Sequence, residues 1–319
     1  MNSPNRVTVF LWSGALGDGL MLVPTLRALR SGYAGSPIHL CGPAGAAEAL
    51  LSAGLIESFS GADSPDLAPL ATGVADRRLM KALRDPDLVI AYASDTQRAS
   101  QALGALEMES LVATPNAPAG RHAAEHLLRS LEPLGLPTNW DGPETVAPIQ
   151  VAGHHSSSGR IVIHPGSGSA WKCAPAALFK EVALALQTAG RRVVLLHGPA
   201  DSASVAAMDW EGEMIRPTTA MELAYELLAS DALIGNDSGV SHLAGLLGMP
   251  TVAIFGPTHP DTWRPLGPRV SVVRTCTKPP ATAMRVCEDP DCFRDISSAV
   301  VVDAMLALLA NTENTEVAR

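Results

Sequence analysis

Short runs rich in valine and isoleucine alternate with longer stretches rich in alanine and leucine along the whole chain. This alternation indicates βαβ units, because two parallel strands need a long crossover connection, which is usually a helix. The predicted strands are residues 6–12, 37–41, 87–93, 107–113, 160–164, 192–197, 232–235, 250–255 and 270–274. The sequence therefore predicts an α/β fold in which helices cover parallel sheets.

The length of 319 residues favours two domains, since single hydrophobic cores stop growing at about 250–300 residues. Residues 137–160 are rich in proline, glycine and serine and lack helical periodicity, which is typical of a linker. We therefore predict one Rossmann-like domain over residues 1–150 and a second over residues 151–319. Because open α/β sheets bind ligands at the carboxyl ends of their strands, we expect the site in a cleft between the two facing domains. Whether the last apolar helix, near residues 298–310, packs back on the first domain is left open.

Composition and charge exclude several classes of protein. The net charge of −9 and the 4% of aromatic residues argue against a nucleic-acid partner, since such proteins present basic or stacking surfaces. Nothing at the N-terminus resembles a signal peptide, and no run of about 18 apolar residues predicts a transmembrane segment. Five irregularly spaced cysteines predict a cytoplasmic protein with reduced thiols. Peripheral association with the inner face of the cytoplasmic membrane stays open.

The first of three glycine-rich turns, SGALGDGLMLVPTLRAL over residues 13–29, follows the first predicted strand. Gly14, Gly17 and Gly19 allow a sharp turn and a close approach of the backbone to a ligand. Two roles fit Asp18 at the start of the following helix: a helix N-cap, or a carboxylate that takes a proton from an acceptor hydroxyl. The glycine spacing does not match the dinucleotide motif and no Walker lysine follows, so an NAD site is not expected.

The second turn, HPGSGSAWKCAP over residues 164–175, follows the first strand of the second half. Ser167, Gly168 and Ser169 offer backbone N–H groups and hydroxyls that suit phosphate oxygens. Lys172 adds a positive charge for a diphosphate. The alternative is a flexible loop, and we interpret His164 as a polar strand end rather than a site residue.

The third turn, residues 236–239, joins a strand directly to a helix. Ser238 and Gly239 stand at the helix start, where free N–H groups and the helix dipole favour an anion. Asp237 would repel phosphate, so we expect it to cap the helix or to accept hydrogen bonds from sugar hydroxyls. His242, one turn further on, suits either a half-buried polar contact or a ligand contact. Residues 255–258 form another turn at the same edge of the sheet.

These three turns in this order resemble the family 9 glycosyltransferases, whose best-known members are the bacterial lipopolysaccharide heptosyltransferases. The resemblance lies in GDxLxxxPxLRAL, HPGSGSxxK and GNDSGxxHLAxxLGxPTVAxFGPT, and it is strongest over residues 161–172 and 222–267. It implies a GT-B fold, inversion at the anomeric carbon and no metal requirement. It also implies an ADP-heptose donor on the C-terminal domain and an acceptor on the N-terminal domain.

The resemblance further implies roles for individual residues. Asp18 corresponds to the catalytic base. Lys172 and the amides of Ser238 and Gly239 correspond to the contacts with the diphosphate, and Asp237 to a contact with the transferred sugar.

Glu222 matches a glutamate that holds the ribose, although an exposed glutamate at a helix start is the alternative. No resident cofactor is expected. No metal is expected either, because the turns carry no Asp-x-Asp of the kind that holds Mg²⁺ on a sugar diphosphate.

Two departures from the family pattern bear on the acceptor and on the cysteines. Residues 1–150 hold 10 Lys and Arg against 15 Asp and Glu, a net charge of −5. An acidic domain predicts a glycan, lipid-linked or other hydroxyl acceptor that is not heavily phosphorylated. Family members often carry C-x-x-C after the last strand, whereas here Pro279 takes the second position after Cys276. Whether Cys276, Cys287 and Cys292 are free, disulfide-bonded or metal-bound is left open.

The glycosyltransferase interpretation has two competitors. One is a nucleotide-sugar epimerase on the same two-domain scaffold, which would need no acceptor cleft. The other is a sugar-nucleotide-binding protein without catalysis, which would not need a carboxylate on the acceptor side.

Overall fold

The computed structural model describes residues 3–11, 14–74, 77–152, 158–198, 201–276 and 292–317, the last of these with side chains up to residue 311. The chain divides into two compact units, Met1–Asp141 and Gly142–Arg319. Each unit contains its own sheet, and every strand pair in both sheets is parallel. The prediction of a fold with two parallel-sheet α/β domains is therefore confirmed.

The first sheet has the strand order β3-β2-β1-β4-β5. Its strands are β1 (Val7–Leu11), β2 (Ile38–Gly42), β3 (Ser58–Gly61), β4 (Leu88–Tyr92) and β5 (Glu109–Ala113). The helices are α1 (Leu16–Leu20), α2 (Val23–Gly32), α3 (Ala44–Ser52), α4 (Pro69–Thr72), α5 (Arg77–Ala82), α6 (Thr96–Gly104) and α7 (Ala123–Arg129). The three central strands are completely buried, as expected where helices cover both faces of a parallel sheet.

The second sheet has the order β11-β10-β9-β6-β7-β8, which is the doubly wound order of a Rossmann sheet. Its strands are β6 (Arg160–His164), β7 (Arg192–Leu196), β8 (Met214–Ile215), β9 (Ala232–Asn236), β10 (Thr251–Ile254) and β11 (Val270–Val273). The helices are α8 (Ala176–Thr188), α9 (Ser202–Met208), α10 (Ala220–Leu228), α11 (Gly239–Leu246), α12 (Pro260–Trp263) and α13 (Ser298–Val317).

The last helix, α13, packs within its own unit, against α8 and the strands β9, β10 and β11. Its residues Val301, Met305 and Leu309 belong to the same apolar core as Phe179 of α8. Within the described residues, no helix is long and apolar enough to cross a membrane.

The segment just before the predicted domain boundary also belongs to the second unit. The Ile149 N–H donates to the Leu246 carbonyl at the end of α11 over 2.8 Å, and the Gly267 N–H donates to the Pro143 carbonyl over 2.9 Å. The contacts of residues 143–149 therefore lie on the C-terminal side of the division.

Neighbouring strands bring the second and third turns together at the carboxyl edge of the second sheet. β6 and β9 pair directly, with His164 opposite Gly235, and β10 flanks β9 on its other side. The chain leaves each of these strands at the same edge, which is where parallel sheets bind ligands.

Candidate functional site

The turn after β6 is held by the side chain of Asn236, which is completely buried at the end of β9. Its Oδ1 accepts a hydrogen bond from the Ala174 N–H over 2.9 Å. Its Nδ2 donates to the carbonyls of Pro165 and Gly166 over 2.9 and 3.1 Å. One side chain therefore satisfies three backbone groups of the turn and fixes the turn to the neighbouring strand.

The serines and glycine predicted to bind phosphate lie on this fixed turn. The Ser167 hydroxyl donates to the Asp237 carbonyl over 2.9 Å, so it joins the second turn to the third. Gly168 is exposed, and a Cβ there would meet nothing within 4 Å. Ser169 is half-buried and begins a 3₁₀ turn over Ala170–Lys172. Hydrogen bonds of Pro165, Gly166 and Ser167 therefore tie the start of the turn to Asn236 and Asp237.

Asp237 is a buried carboxylate with several partners. Its Oδ2 accepts hydrogen bonds from Lys172 Nζ over 3.0 Å and from Thr258 Oγ1 over 2.7 Å. His242 Nε2 lies 3.6 Å from the other carboxylate oxygen. Burial alone raises the pKa of Asp237, but the His242 ring, the Lys172 charge and the Thr258 hydroxyl outweigh it and hold the pKa at about 2. The carboxylate is therefore ionised at neutral pH.

Helix α11 is capped by Ser238, not by Asp237. The Ser241 N–H donates to Ser238 Oγ over 3.4 Å, and Gly239 is the first helical residue. The cap expected for Asp237 is thus supplied by its neighbour, while Asp237 pairs with Lys172. The first N–H groups of α11 start directly beside the fixed turn, which makes this edge suitable for an anion.

The His242 ring lies buried one turn into α11. Its Nδ1 has no hydrogen-bond partner among the described residues. Buried polar atoms of proteins are almost always hydrogen-bonded, so this nitrogen is an exception among the described residues.

Glu222 lies in the first turn of α10. Its N–H donates to Thr219 Oγ1 over 3.1 Å, and its Oε2 accepts from both the N–H and the hydroxyl of Thr218 over 2.7 Å. These hydrogen bonds to Thr218 lower the pKa of the exposed Glu222 carboxyl. These local hydrogen bonds explain why a glutamate stands at this helix start, and the contact with the ribose stays a prediction.

Asp18 lies in the first unit, as the third residue of α1 rather than its N-cap. Its Oδ2 accepts a hydrogen bond from the Ala15 N–H over 2.8 Å, and the side chain is half-buried. Gly14 has a φ of +142°, and a Cβ there would lie 2.7 Å from the Asp18 Cβ. Gly14 is therefore required for the close packing of this turn around Asp18, while Gly17 is part of the helix itself.

Sequence reasoning missed three residues that build the second unit's site. Asn236 and Thr258 stand in the quoted motif GNDSGxxHLAxxLGxPTVAxFGPT, at strand-end positions where polar side chains signal a site. Asp201, directly before α9, belongs to no motif, yet its Oδ2 lies 2.9 Å from His164 Nε2. His164, interpreted as a polar strand end, is thus half of a buried pair.

In the part of the chain that the structure describes, no group of three or more His, Cys, Asp or Glu side chains is placed so that it could hold a metal ion. The sulfurs of Cys276 and Cys292 lie 4.0 Å apart, about twice the length of a disulfide bond. Cys287 falls outside the described residues.

Comparisons with known proteins agree with this architecture. Residues 136–290 match the family model for Glycosyltransferase family 9 (heptosyltransferase). Lipopolysaccharide heptosyltransferase 2 of Salmonella typhimurium is 33% identical over 108 residues, 31% of each chain. Lipopolysaccharide heptosyltransferase 3 of Escherichia coli K12 is 29% identical over 168 residues, 46% of this chain and 47% of that protein. These alignments span less than half the length of the curated relatives.

Solved structures cover nearly the whole chain at lower identity. The family 9 glycosyl transferase from Veillonella parvula DSM 2008 superposes with a TM-score of 0.72 at 20% identity, covering 96% of this chain and 97% of that one. The E. coli ADP-heptose heptosyltransferase II gives 0.68 at 18% identity, covering 97% and 99%. The fold is therefore that of the GT-B glycosyltransferases. Together with the family match over residues 136–290, it shows that the chain is similar to the proteins of glycosyltransferase family 9.

Proposed function

We propose that this chain is an inverting, metal-independent glycosyltransferase that transfers a sugar from a nucleoside-diphosphate donor to a hydroxyl of an acceptor. One observation carries the proposal: the fixed turn with Lys172 lies beside the free N–H groups at the start of α11. Negative charge develops on the diphosphate as it leaves the sugar. Backbone N–H groups, the helix dipole and a lysine ammonium stabilise that charge without a metal ion.

The sugar donor would replace an internal contact. Lys172 pairs with Asp237 over 3.0 Å, and a diphosphate offers it a second anion at the same place. Asp237 remains ionised through Thr258 and can then accept hydrogen bonds from the hydroxyls of the sugar. In this arrangement His242 contacts the donor beside Asp237, and Glu222 contacts the ribose.

We propose an ADP-heptose as the donor, because proteins with this fold have been solved with such compounds. One E. coli heptosyltransferase was solved with ADP, and again with ADP-2-deoxy-2-fluoro heptose, with TM-scores of 0.67 and 0.63. Both structures are below 20% identity to this chain.

Asp18 is proposed as the general base of the transfer. A half-buried carboxylate fixed by the Ala15 N–H is suited to take a proton from an acceptor hydroxyl as that hydroxyl attacks the anomeric carbon. The acceptor is a glycan, lipid-linked or other hydroxyl compound, and the acidic first half favours one without many phosphates. Action in the cytoplasm or at the inner face of the cytoplasmic membrane is part of the same proposal.

The proposal is tested by calorimetry with ADP, UDP and GDP, each in excess EDTA and again with MgCl₂. ADP is expected to bind equally well in both conditions. Failure of all three nucleotides to bind, or binding only with Mg²⁺, would refute the metal-free diphosphate site.

Transfer from ADP-heptose to candidate acceptors is then followed by NMR, which reports whether the anomeric configuration is inverted. Conversion of the donor sugar without an acceptor would support the epimerase alternative instead. Binding without any reaction across the acceptors would support a non-catalytic sugar-nucleotide-binding protein.

A further inference from the structure

A buried chain of three side chains lies beneath the anion site, and the proposed transfer does not account for it. His164 Nε2 is 2.9 Å from Asp201 Oδ2, and His164 Nδ1 is 3.4 Å from Ser238 Oγ. His164, Asp201 and Ser238 are 3%, 4% and 7% exposed. They come from the end of β6, the residue before α9 and the cap of α11, so the fold itself brings them together.

Asp201 is held in place from two further directions. The Gly198 N–H donates to its Oδ2 over 2.7 Å. On the other side a Cβ at Gly166 would collide with the carboxylate, so the turn after β6 packs directly on Asp201. The carboxylate therefore connects the strand-end histidine to the turn that carries Ser167 and Lys172.

The partners determine where the protons lie. Burial raises the pKa of Asp201, but the hydrogen bonds from His164 and from the Gly198 N–H outweigh it, and the pKa is lowered. An ionised carboxylate can only accept, so His164 Nε2 carries a proton. His164 Nδ1 then faces the Ser238 hydroxyl. In a neutral ring Nδ1 accepts the Ser238 proton, whereas in an imidazolium Nδ1 donates and the Ser238 proton is free to point elsewhere.

We propose that His164 is a positioning residue that takes up one proton when a nucleoside diphosphate binds, and that this turns the Ser238 hydroxyl toward the phosphate. The inference rests on the proposed function, since it requires a diphosphate at the start of α11. Added negative charge near a histidine favours its charged form, and Asp201 balances the charge within the protein. One solvent proton binds to Nδ1, Ser238 keeps its own proton, and no covalent bond forms or breaks.

Other titratable groups face the same cluster. Lys172 is already positive, and the pKa of Asp237 is about 2, so neither takes up a proton near neutral pH. Burial, with a further contribution from Asp201, raises the pKa of the Cys173 thiol, which keeps its proton there. Two other histidines, His197 after β7 and His242 in α11, remain as competing proton acceptors, and the test has to separate them from the proposed one.

The test measures proton uptake directly. ADP is titrated into the protein at pH 8, where its own phosphate is deprotonated, in EDTA and in buffers with different ionisation enthalpies. The dependence of the heat on the buffer gives the number of protons bound. The wild-type protein is expected to take up a measurable fraction of a proton, and at most one, per ADP. His164→Asn should abolish the uptake and weaken binding roughly tenfold, because Ser238 no longer gains a directed hydrogen bond to phosphate.

Two more variants make the result specific. Asp201→Asn preserves shape and hydrogen bonding but removes the balancing charge, so it should reduce the uptake even if His164→Asn does not fold. His197→Asn is the matched control and should leave the uptake unchanged.

Equal heats in all buffers for the wild type, or an unchanged uptake in both His164→Asn and Asp201→Asn, would overturn the inference while leaving the proposed function intact. Failure of ADP, UDP and GDP to bind would overturn both.

Discussion

Replacing Asn236 by alanine tests whether one side chain holds the turn of the proposed diphosphate site. The substitution removes the acceptor of the Ala174 N–H and the donor to the carbonyls of Pro165 and Gly166. All three hydrogen bonds are buried, so water does not readily replace them. A buried polar group left without its partner costs about 1–3 kcal/mol.

The size of the effect follows from which groups lose a partner. The carbonyls of Pro165 and Gly166 keep a second lone pair and are assigned about 1 kcal/mol each, and the Ala174 N–H, with no alternative, about 2 kcal/mol. We therefore expect Asn236→Ala to reduce the free energy of unfolding of the second unit by about 4 kcal/mol. That is a large part of the roughly 5–15 kcal/mol that stabilises a typical domain.

Urea denaturation followed by circular dichroism measures this loss, and ADP calorimetry at low temperature measures the effect on the site. Asn116→Ala is the matched control, because Asn116 is exposed in the first unit, and a surface change of this kind stays within about 0.5 kcal/mol. ADP affinity should fall together with the stability of the turn. A loss below about 1 kcal/mol, or an unchanged ADP affinity in folded Asn236→Ala, would show that Asn236 does not organise the turn.

Three further predictions concern individual charged groups. Asp18→Asn should lower turnover by a factor of about 10²–10⁴ if Asp18 is the base. ADP affinity and thermal stability should stay unchanged, because the amide oxygen still accepts the Ala15 N–H. Near-normal turnover would exclude the assignment. Lys172→Ala should weaken ADP binding by about 1–3 kcal/mol in calorimetry, and an unchanged dissociation constant would remove Lys172 from the site. The pKa of Asp237 is lowered from 3.8 to about 2, so its contribution to stability, on the order of 2 kcal/mol, is complete above about pH 4 and is lost as the pH falls toward 2. Urea titrations at pH 5 and pH 3 measure it, and an Asp237→Asn protein with the same pH dependence would contradict it.

Strands with an apolar run were predictable from the sequence, and two short edge strands without such a run were not. β6 was predicted with both of its ends because an apolar run lies between Arg160 and a glycine-rich turn. β3 and β8 were missed: β3 reads SFSG and is only half-buried, and β8 is two residues long. Both strands lie at the edge of their sheets and are only half-buried, so they need no continuous apolar run.

The site was predictable as a set of turns, but its internal pairing was not. The motifs located Lys172 and Asp237 correctly on two turns, yet their contact depends on β6 and β9 being neighbours in the sheet. Asp201 illustrates the same limit more strongly, since it lies 37 residues from His164 and has no motif of its own. Strand order and the packing of α9, rather than local sequence, bring such residues together.

The attachment of residues 143–149 to the end of α11 determines where the second unit can be cut from the chain. The Ile149 N–H satisfies the Leu246 carbonyl, one of the terminal groups that a helix cannot satisfy itself. A fragment that starts at residue 151 loses this hydrogen bond, the Gly267–Pro143 hydrogen bond and the packing of Pro148 against Gly248. A fragment that starts at Gly142 keeps all three, and with them the anchorage of the helix whose opposite end forms the proposed diphosphate site.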